Sequence, residues 1–595
     1  MSCNWQELPF REIWAVDSEF YPGPGLANGA SQGDAITPLC LVALEMRSNR
    51  LVRLWQDEFG YFPPYSLGAE SLVTGYMASA ELGTHIALGW GQPANVLDPY
   101  VEFRHHVNDG SVEEREKGFF GIGGALRYFG EDGIDAAHKH DMRDRILQGP
   151  PFTADERAAI LDYCQDDVHA LARVIAHIVP TIRSLPHALQ RAKVQWPIAQ
   201  QEHRGIPTNL PKLTRIRAQW DPIKCDLVTE KDKFGIYEIV NGVPHWRHER
   251  WAACIRRNQW AWPLLGSSVY DTTDDAFKEM EGRYPEIHTI RQLKSTVSKL
   301  RLNDLQIGRD GRNRAAPLGA YGTKTARNAP SASKYIFGPS KWLRFLIAPP
   351  PGRALVHRDY AQQEMRIAAL LSGDAALLEA CESGDVYLNM AKKLGVAPPD
   401  ATVDTHAPVR ALFKTVCLGI NYGLGARSLS LRTGLPLFQA YEILARLRAQ
   451  YRVFEAYRKS VLDHAGLNLE VSTPFGWYMK CPPGINQRTV TNFPMQSWAA
   501  ECLHVAMILA ERRGIRIVAT VHDAMMAECE LHQIDDVSAA LDRVMRDASA
   551  VVLRGHELPT DVQIVRPGEA FFDKNGKEMW DTVSAVLAKL ERKTA

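Results

Sequence analysis

The sequence lacks the features that define several large classes of protein. Its ten cysteines include no C-x-x-C pair, so neither a zinc site nor a disulfide framework is expected. It contains no run of about 18 apolar residues, and its first residues lack the charged and apolar regions of a secretion signal. We therefore expect a soluble, cytoplasmic protein with no membrane partner.

The sequence also lacks net charge, because 69 Lys and Arg residues balance 69 Asp and Glu residues. The overall balance therefore gives no sign of a nucleic-acid partner. One segment is one-sided, since residues 291–327 contain nine Lys or Arg against two Asp. Such a segment can follow a phosphate backbone and make binding depend on salt, although the same composition also suits a solvated helix face.

Length and patterning predict several domains. A chain of 595 residues is long enough for about three or four of them. Strand-like runs at 12–20 and 35–55, followed by a mostly helical pattern at 66–180, predict an α/β layer. After a helical and basic region, we expect strands at 345–360, helices over 361–460, a hairpin at 469–482, a long helix at 488–512 and a strand pair around residue 523.

Two aspartates that are distant in sequence each end an apolar, strand-like run. Asp359 ends the run that begins at residue 354, and Asp523 ends the run that begins at residue 515. Strands that meet in one sheet can bring two such carboxylates together, and carboxylate oxygens are the ligands that Mg²⁺ prefers. Either aspartate alone would more often be a turn residue. As a pair they predict a metal site.

Between these aspartates lies a helix with a cationic face. Residues 410–423, RALFKTVCLGINYG, place a set of side chains four residues apart on one face: Arg410, Lys414, Leu418 and Tyr422. An ammonium and a guanidinium on adjacent turns can hold the phosphates of a nucleoside triphosphate. An ordinary exposed helix face is the alternative.

Four motifs together resemble those of the family A DNA polymerases, the DNA polymerase I group. They are, in order, DYAQQEMR at 359–366, the helix at 410–423, RTVTNFPMQSWAAE at 488–501 and VHD at 521–523. The resemblance implies a template-directed DNA polymerase that extends a primer with deoxynucleoside triphosphates. It implies two Mg²⁺ ions at Asp359 and Asp523, which Mn²⁺ can replace, and primer-template DNA as partner. A replisome or processivity partner is left open.

The resemblance also implies roles for single residues. Arg410 and Lys414 would hold the triphosphate, and Tyr422 would lie behind the templating base. Glu364 would exclude a 2′-hydroxyl, so that the product is DNA. Gln362 and Leu418 would also contact the nucleotide. The residues expected at the DNA are Arg327, Arg488, Asn492, Gln496 and His522.

The N-terminal region carries a second set of acidic residues. Asp17 and Glu19 alternate on one strand and therefore share a face. With Asp98, Tyr163 and Asp167 they resemble the three motifs of DEDD-type 3′–5′ exonucleases of the tyrosine-bearing subclass. That resemblance implies two further Mg²⁺ ions held by the four carboxylates, with Tyr163 orienting the attacking water. Asp166 is the rival of Asp167.

The resemblance implies a multidomain α/β protein whose exonuclease domain, of the ribonuclease-H-like fold, precedes a right-hand polymerase. The expected boundaries are 1–185 for the exonuclease, 186–320 for a connecting region and mostly helical thumb, 321–374 and 469–595 for the palm, and 375–468 for the fingers. Nothing resembles a 5′-nuclease domain, so we expect a phage- or plasmid-like enzyme, which in the phage case acts in the host cytoplasm. The alternatives are an exonuclease or a DNA-binding scaffold with an inactive polymerase half.

Several residues depart from the usual pattern of the family, among them Gln363 in place of an aliphatic residue and Ala361 in place of a small polar one. Leu418 replaces a Phe or Tyr, which we expect to lower the use of dideoxynucleotides. Ala326 replaces the Gly of a T-G-R segment, and Ala524 replaces the acidic residue that often follows the aspartate of the third motif. None of them removes one of the two expected metal ligands, Asp359 and Asp523.

Overall fold

The computed structural model describes residues 4–29, 31–109, 116, 118–133, 136–266, 268–421 and 425–594. It consists of an N-terminal α/β layer, a central helical region and a C-terminal region of helices around a second sheet. None of the helices in these ranges combines the length and the apolar character that crossing a membrane requires. The cysteines within them are free thiols.

The N-terminal layer is a five-stranded sheet covered by helices. Its strands are β1 (Glu12–Pro22), β2 (Ile36–Glu45), β3 (Arg50–Trp55), β4 (Ser71–Thr74) and β5 (Val96–Leu97), in the order β3-β2-β1-β4-β5. Its helices are α1 (Ser79–Leu88), α2 (Pro99–His106), α3 (Ile122–Tyr128), α4 (Ala136–Gln148) and α5 (Ala154–Ile178). β1 pairs antiparallel with β2 and parallel with β4.

Helix α5 is long for two reasons. Its first residues cap a helix, and one of its faces is apolar and packs against the sheet. Thr153 and Glu156 form a capping box that satisfies the first backbone N–H groups. Ile160, Cys164 and Leu171 then recur at helical spacing and bury one face against β1 and β2. This packing brings the predicted Tyr163 and Asp167 to the sheet.

The range 66–180 is mostly helical, as expected, but two short strands interrupt it. Strand β4 has four residues and β5 has two. All of them are buried, so neither strand shows the alternation that identifies a half-exposed strand. Their pairing in the sheet is decided by tertiary contacts.

The central helical region contains most of the basic residues noted in the sequence. Its elements are α6 (Leu185–Ala192), α7 (Gln195–Arg204), β6 (Ile206–Pro207), α8 (Leu210–Ala218), α9 (Trp220–Lys231), β7 (Tyr237–Val240), β8 (Val243–Trp246), α10 (His248–Arg257), β9 (Leu264–Leu265), β10 (Val269–Tyr270), α11 (Asp274–Glu281), α12 (Glu286–Lys294) and β11 (Arg312–Asn313). Trp251 and Phe277 are fully buried and stack at 5.2 Å in its core.

The C-terminal region contains β12 (Arg353–Tyr360), α13 (Gln363–Ser372), α14 (Ala375–Glu382), α15 (Val386–Lys393), α16 (Ala407–Asn421), α17 (Ala426–Thr433), α18 (Leu437–Gln450), α19 (Arg452–Asn468), β13 (Glu470–Ser472), β14 (Tyr478–Lys480), α20 (Gln487–Arg512), β15 (Ile517–Val521), β16 (Ala524–Glu530), α21 (Ile534–Val552), β17 (Thr560–Val565) and α22 (Lys577–Thr594). Four of these strands form a sheet in the order β15-β16-β12-β17, which we call the C-terminal sheet.

The expected hairpin, the long helix and the strand pair are all present in this region. The strand expected from residue 345 begins only at Arg353. Prolines at 349, 350 and 351 explain the delay, because proline donates no hydrogen bond to a sheet. A short 3-10 helix, Lys341–Leu346, precedes them.

A buried ion pair joins the N-terminal layer to the rest of the chain. Arg191 on α6 donates to both carboxylate oxygens of Glu102 on α2, at 2.8 and 2.6 Å, and both side chains are at most 4% exposed. Arg191 also donates to the carbonyl of Phe475 in the β13–β14 hairpin at 3.2 Å. Burial acts to raise the pKa of Glu102, but Arg191 and His105 outweigh it and lower this pKa to about 2.

Removal of one partner from this pair should be costly. We expect Glu102→Ala to lower the free energy of unfolding by about 3–5 kcal/mol, because it leaves the Arg191 charge buried and unpaired. A second pair, Arg183 with Glu470, joins the same hairpin but is 54% and 31% exposed. Glu470→Ala should therefore cost less than about 1 kcal/mol. Urea unfolding of the two variants measures both values, and equal losses would contradict the view that burial makes the first pair the stronger one.

Candidate active sites

The C-terminal sheet brings the two predicted aspartates together. Asp359 is the next-to-last residue of β12 and lies opposite Ala524, the first residue of β16. Asp523 lies in the tight turn between β15 and β16, one residue before Ala524. The backbone N–H of Tyr360 donates to the carbonyl of Asp523 at 3.5 Å. Two carboxylates that are more than 160 residues apart in the chain therefore share one edge of the sheet.

The electrostatics of this pair favour a bound cation. Burial, followed by the charge of Asp523, raises the pKa of Asp359, and burial also raises the pKa of Asp523. The Oδ1 atom of Asp359 is buried and has no hydrogen-bond partner among the described residues. An unpartnered carboxylate oxygen beside a second carboxylate is a suitable ligand for a hard divalent ion.

The backbone adopts left-handed conformations close to these aspartates. His522, which precedes Asp523, has a φ of 57°, and Gln362, three residues after Asp359, has a φ of 56°. Ala326 has a φ of 65° at the position where the family pattern has a glycine. Such conformations cost non-glycine residues roughly 1–2 kcal/mol each and tend to occur at functional sites. Three predicted site segments therefore hold strained backbone.

Two residues predicted to lie near the nucleotide and the DNA form an ion pair. Arg327 donates to the Oε1 atom of Glu364 at 2.6 Å, and both side chains are partly buried. Glu364 lies in the first turn of α13, and Arg327 follows the turn at residues 323–326. The structure thus brings these two predicted site residues into direct contact.

The predicted cationic face lies on α16. The Nε atom of Arg410 donates to Asp385, and its guanidinium lies 5.6 Å from the centre of the Tyr387 ring. Lys414, one turn further on, is exposed. Leu418 belongs to the same helix, but its side chain, like the whole of Tyr422, lies outside the described residues.

Helix α20 carries the three residues predicted to line the DNA. Arg488 is exposed at its start, Gln496 is half-buried, and Asn492 is 9% exposed with an unpartnered buried Oδ1 atom. A cleft of about 1180 Å³ extends from the central helical region to the C-terminal sheet. Arg327 and His522 both line it.

The basic segment at 291–327 is engaged more in internal contacts than the sequence suggested. Four of its arginines form ion pairs: Arg291 with Asp274 and Glu281, Arg309 with Asp34, Arg312 with Glu528, and Arg314 with Asp310. Arg309 remains 55% exposed, whereas Arg312 and Arg314 are at most 16% exposed. Arg309 and Arg312 join the central region to its two neighbours, whereas Arg291 and Arg314 pair within it.

The N-terminal sheet forms a second acidic site. Oxygen atoms of Asp17, Glu19 and Asp167 lie within 4.8 Å of one another, which is close enough to hold a metal ion. β1 supplies the first two side chains from one face and α5 supplies the third. Asp166 is exposed, whereas Asp167 is buried at the site, so the geometry favours Asp167 over its rival.

Neighbouring side chains hold this acidic group in place. The Lys139 ammonium lies 2.7 and 2.9 Å from the two carboxylate oxygens of Asp167 and 5.7 Å from the centre of the Tyr163 ring. The Cys164 thiol donates to Asp17 at 3.2 Å. Burial, and then the charge of Asp167, raises the pKa of Asp17, while burial and Asp17 raise that of Glu19. Lys139 offsets part of both shifts.

Asp98 is placed differently from these three residues. It precedes α2 as its N-cap, and its carboxylate accepts hydrogen bonds from the backbone N–H groups of Met77, Ala78, Tyr100 and Val101, at 3.0–3.4 Å. Four donors satisfy most of its acceptor capacity. The group of three carboxylates does not include it.

Glu81 is a further acidic residue at this site, and the sequence did not single it out. It lies in the first turn of α1, is 5% exposed and has an unpartnered buried Oε2 atom. Burial, followed by the charge of Asp17, raises its pKa well above the usual range. It lines the same cavity of about 1060 Å³ as Asp17, Glu19 and Asp167. Strand β4 was not predicted from the sequence. Without that strand, Glu81 is expected to be an ordinary residue on a solvated helix face.

Comparison with known proteins identifies the C-terminal region. Residues 339–568 match the family model described as DNA polymerase family A. DNA polymerase I of Chloroflexus aurantiacus is 29% identical over 325 residues, which cover 50% of this chain and 34% of that protein. A thermostable DNA polymerase I of Thermus thermophilus is 30% identical over 212 residues, or 33% of this chain and 25% of the relative.

Longer alignments exist at lower identity. The thermostable DNA polymerase I of Thermus filiformis is 24% identical over 476 residues, which cover 74% of this chain and 52% of that protein. The chain thus spans about a quarter to a half of the length of these relatives.

A solved structure is similar over nearly the whole chain. It is the POL domain of Pol1 from M. smegmatis in complex with DNA primer-template and dNTP, with a TM-score of 0.67, 17% identity and 96% coverage of both chains. At this identity the likeness establishes the fold. Residues 339–568, which contain the paired Asp359 and Asp523, are therefore similar in sequence to DNA polymerase family A.

Proposed function

We propose that the protein is a template-directed DNA polymerase that extends a primer 3′ end with deoxynucleoside triphosphates and proofreads with a 3′–5′ exonuclease. The observation that carries the proposal is the partly buried pair Asp359 and Asp523 inside a segment that matches family A. The similar Pol1 domain was solved with primer-template and dNTP, which supports these partners. The proposed domains are the exonuclease, thumb, palm and fingers, with the boundaries expected from the sequence.

The residues at the polymerase site fit a pair of divalent ions. Asp359 and Asp523 offer hard oxygen ligands, one of them without a hydrogen-bond partner among the described residues. When bound, two Mg²⁺ or Mn²⁺ ions would activate the primer 3′-hydroxyl and offset the charge of the reacting phosphate. The two aspartates would hold the metal ions at the edge of the sheet. Their partial burial would limit the access of water to these ions.

The protein's own cations and its strained turns would position the substrates. Arg410 and Lys414 face the triphosphate from α16, and Asp385 fixes the Nε side of the Arg410 guanidinium. Glu364 blocks the space of a 2′-hydroxyl, with its carboxylate held by Arg327. Arg488, Asn492 and Gln496 would contact minor-groove acceptors, which are similar for all correct base pairs and therefore test geometry without reading sequence.

For the exonuclease we propose four carboxylates: Asp17, Glu19, Asp167 and Glu81. Glu81 takes the place that the sequence analysis gave to Asp98, because it is unpartnered at the cavity whereas Asp98 is bound by backbone N–H groups. Tyr163, one turn before Asp167, would orient the attacking water. Bound metal ions would activate that water and stabilise the leaving 3′-oxygen.

The two activities should separate by mutation. We expect Asp359→Asn or Asp523→Asn to abolish primer extension and to leave degradation of single-stranded DNA intact, because each removes a ligand charge from one site only. Primer extension with Mg²⁺ and all four deoxynucleotides measures the first activity. Asp536→Asn, an exposed aspartate at the start of α21, is the matched control. Extension by either site variant would refute the polymerase assignment, and extension by neither the wild type nor the control would favour the exonuclease or scaffold alternatives.

Glu81 and Asp98 can be distinguished by the same logic. We expect Glu81→Gln to lower 3′–5′ degradation about 100-fold or more without loss of stability, since the amide keeps the size of the side chain but cannot ionise to bind a metal ion. Asp98→Asn should instead destabilise the fold by about 1–3 kcal/mol, because the amide turns a donor towards a backbone N–H group. At a temperature where both variants are folded, Asp98→Asn should stay active. If Asp98→Asn is inactive and Glu81→Gln is active, the metal ligand is Asp98 and not Glu81.

Metal binding should become tighter as pH rises. Burial and then Asp523 raise the pKa of Asp359 to about 8, so this carboxyl holds a proton at pH 6 when no metal is bound. A cation binds the ionised form, and the proton competes with it until the pH passes that pKa. We expect Mn²⁺ affinity to rise by up to about tenfold per pH unit between pH 6 and 8 for each proton released. Calorimetry in buffers of different ionisation enthalpy counts these protons.

The same protonation should appear in stability. Between the unfolded pKa, near about 3.9, and the raised native pKa, the native state binds more protons than the unfolded state. The stability that these protons provide is therefore lost as pH rises through this window, and the N-terminal carboxylates shift in the same direction. Mn²⁺ should raise the melting temperature more at pH 8 than at pH 6. The double variant Asp359→Asn, Asp523→Asn should show a smaller difference, and a larger effect at pH 6 would contradict the assignment.

A further inference from the structure

The polymerase site lacks one acidic residue at a position where the family often has one. Ala524 follows Asp523 directly, and its methyl group is 4% exposed. A methyl group provides neither charge nor a ligand. If the proposed polymerase function holds, the site either works with two carboxylates or receives a third from another element.

The register of the C-terminal sheet offers such an element. Strand β12 lies between β16 and β17, and Asp359 has an in-register partner on each side, Ala524 on β16 and Asp561 on β17. Residues directly opposite one another in antiparallel strands place their side chains on the same face, with Cβ atoms about 4.5–5.5 Å apart. Ala524, Asp359 and Asp561 therefore form one row across the sheet.

Contacts on the other face show which way this row points. Arg358 donates to Asp542 and Ser538 of α21, and the Tyr360 hydroxyl donates to the carbonyl of Met545 in the same helix. Helix α21 therefore covers the face of residues 358 and 360. Because side chains alternate along a strand, Asp359 and Asp561 lie on the opposite face, where Asp523 is.

We propose that Asp561 is the third carboxylate of the polymerase metal site and replaces the acidic residue that is absent at Ala524. The inference rests on the proposed polymerase function. The charge of Asp561 already acts on its neighbour, since it adds to the effects of burial and of Asp523 on the pKa of Asp359.

The set is looser than the N-terminal group, whose oxygen atoms lie within 4.8 Å. Asp561 is exposed on an edge strand, so rotation of its side chain can bring the carboxylate nearer to the pair. A competing explanation is edge protection, because a charge on an edge strand discourages pairing with another chain. That role would give Asp561 no influence on metal binding.

The decisive measurement is the affinity for Mn²⁺ itself, by calorimetry, in a protein whose exonuclease site is silenced by Asp17→Ala and Glu19→Ala. We expect Asp561→Asn to weaken the remaining Mn²⁺ binding about 10-fold, the size of effect that supporting ligands commonly have. The Mg²⁺ concentration for half-maximal primer extension should rise by about the same factor. Asp536→Asn is the control for loss of an exposed acidic residue in the same region, and it should change neither value.

A relocation experiment adds a second readout. Ala524→Asp in the Asp561→Asn background returns a carboxylate to the row from the other side of Asp359, and it should restore most of the lost Mn²⁺ affinity. Since Ala524 is buried, the melting temperature of this variant is measured first. The Asp561→Asn affinity decides the question by itself if the double variant does not fold.

The outcomes separate this inference from the proposed function. If Asp359→Asn weakens Mn²⁺ binding and Asp561→Asn does not, the third carboxylate is refuted and the polymerase assignment stands. If the wild-type protein extends no primer, the polymerase assignment fails, while weaker Mn²⁺ binding in Asp561→Asn still supports the metal-site role.

Discussion

Repulsion between buried carboxylates is the constraint on which both active sites depend. Asp359 lies against Asp523 in the C-terminal sheet, and Asp17 lies against Glu19 and Asp167 in the N-terminal sheet. Without a cation, such groups are compatible with burial only if protons or an ammonium neutralise them. The Lys139 ammonium neutralises Asp167 in this way. Among the described residues, no ammonium or guanidinium forms an ion pair with Asp359. His522 and Gln362, close to these aspartates, also hold left-handed backbone conformations, which persist only where the surrounding structure determines them.

That framework includes the junction between the two sheets. Glu102 on α2 and Arg191 on α6 form a pair that is buried on both sides, and Arg191 continues to the β13–β14 hairpin. The N-cap residue of α2 is Asp98, which also binds the backbone ahead of α1, the helix of Glu81. Helix α2, which joins the N-terminal layer to α6 through Glu102, is therefore also bonded to the backbone that precedes α1. At the other end, Asn108 donates to the carbonyl of Lys324, close to Arg327. Buried and partly buried polar contacts thus join the N-terminal layer to the segment of Arg327 and to the β13–β14 hairpin.

The sequence was sufficient where local pattern and chemistry coincide. Asp359 and Asp523 could be paired because each ends an apolar run, and α20 could be located because its pattern is long. Strands β4 and β5 could not be located from the sequence. They are short and fully buried, so they lack the alternation of apolar and polar residues that identifies a strand. The loss of β4 led directly to the loss of Glu81. The sequence could not predict the ion pairs of four arginines either: Arg291, Arg309, Arg312 and Arg314. Composition gives the number of charged residues in a segment, but it does not show which residues they contact.

Asp98 shows how the hydrogen bonds that a carboxylate accepts bear on its capacity to bind a metal ion. Its sequence context, an aspartate directly before proline at the start of a helix, is typical of an N-cap, because proline suits the first helical position and the carboxylate accepts the free N–H groups. A carboxylate that accepts four backbone hydrogen bonds has little capacity left for a metal ion. Glu81 and Asp359 are the opposite case, buried with an oxygen that has no hydrogen-bond partner among the described residues. Unsatisfied oxygen, more than acidic character or motif spacing, therefore marks the residues at which a cation would be most strongly favoured.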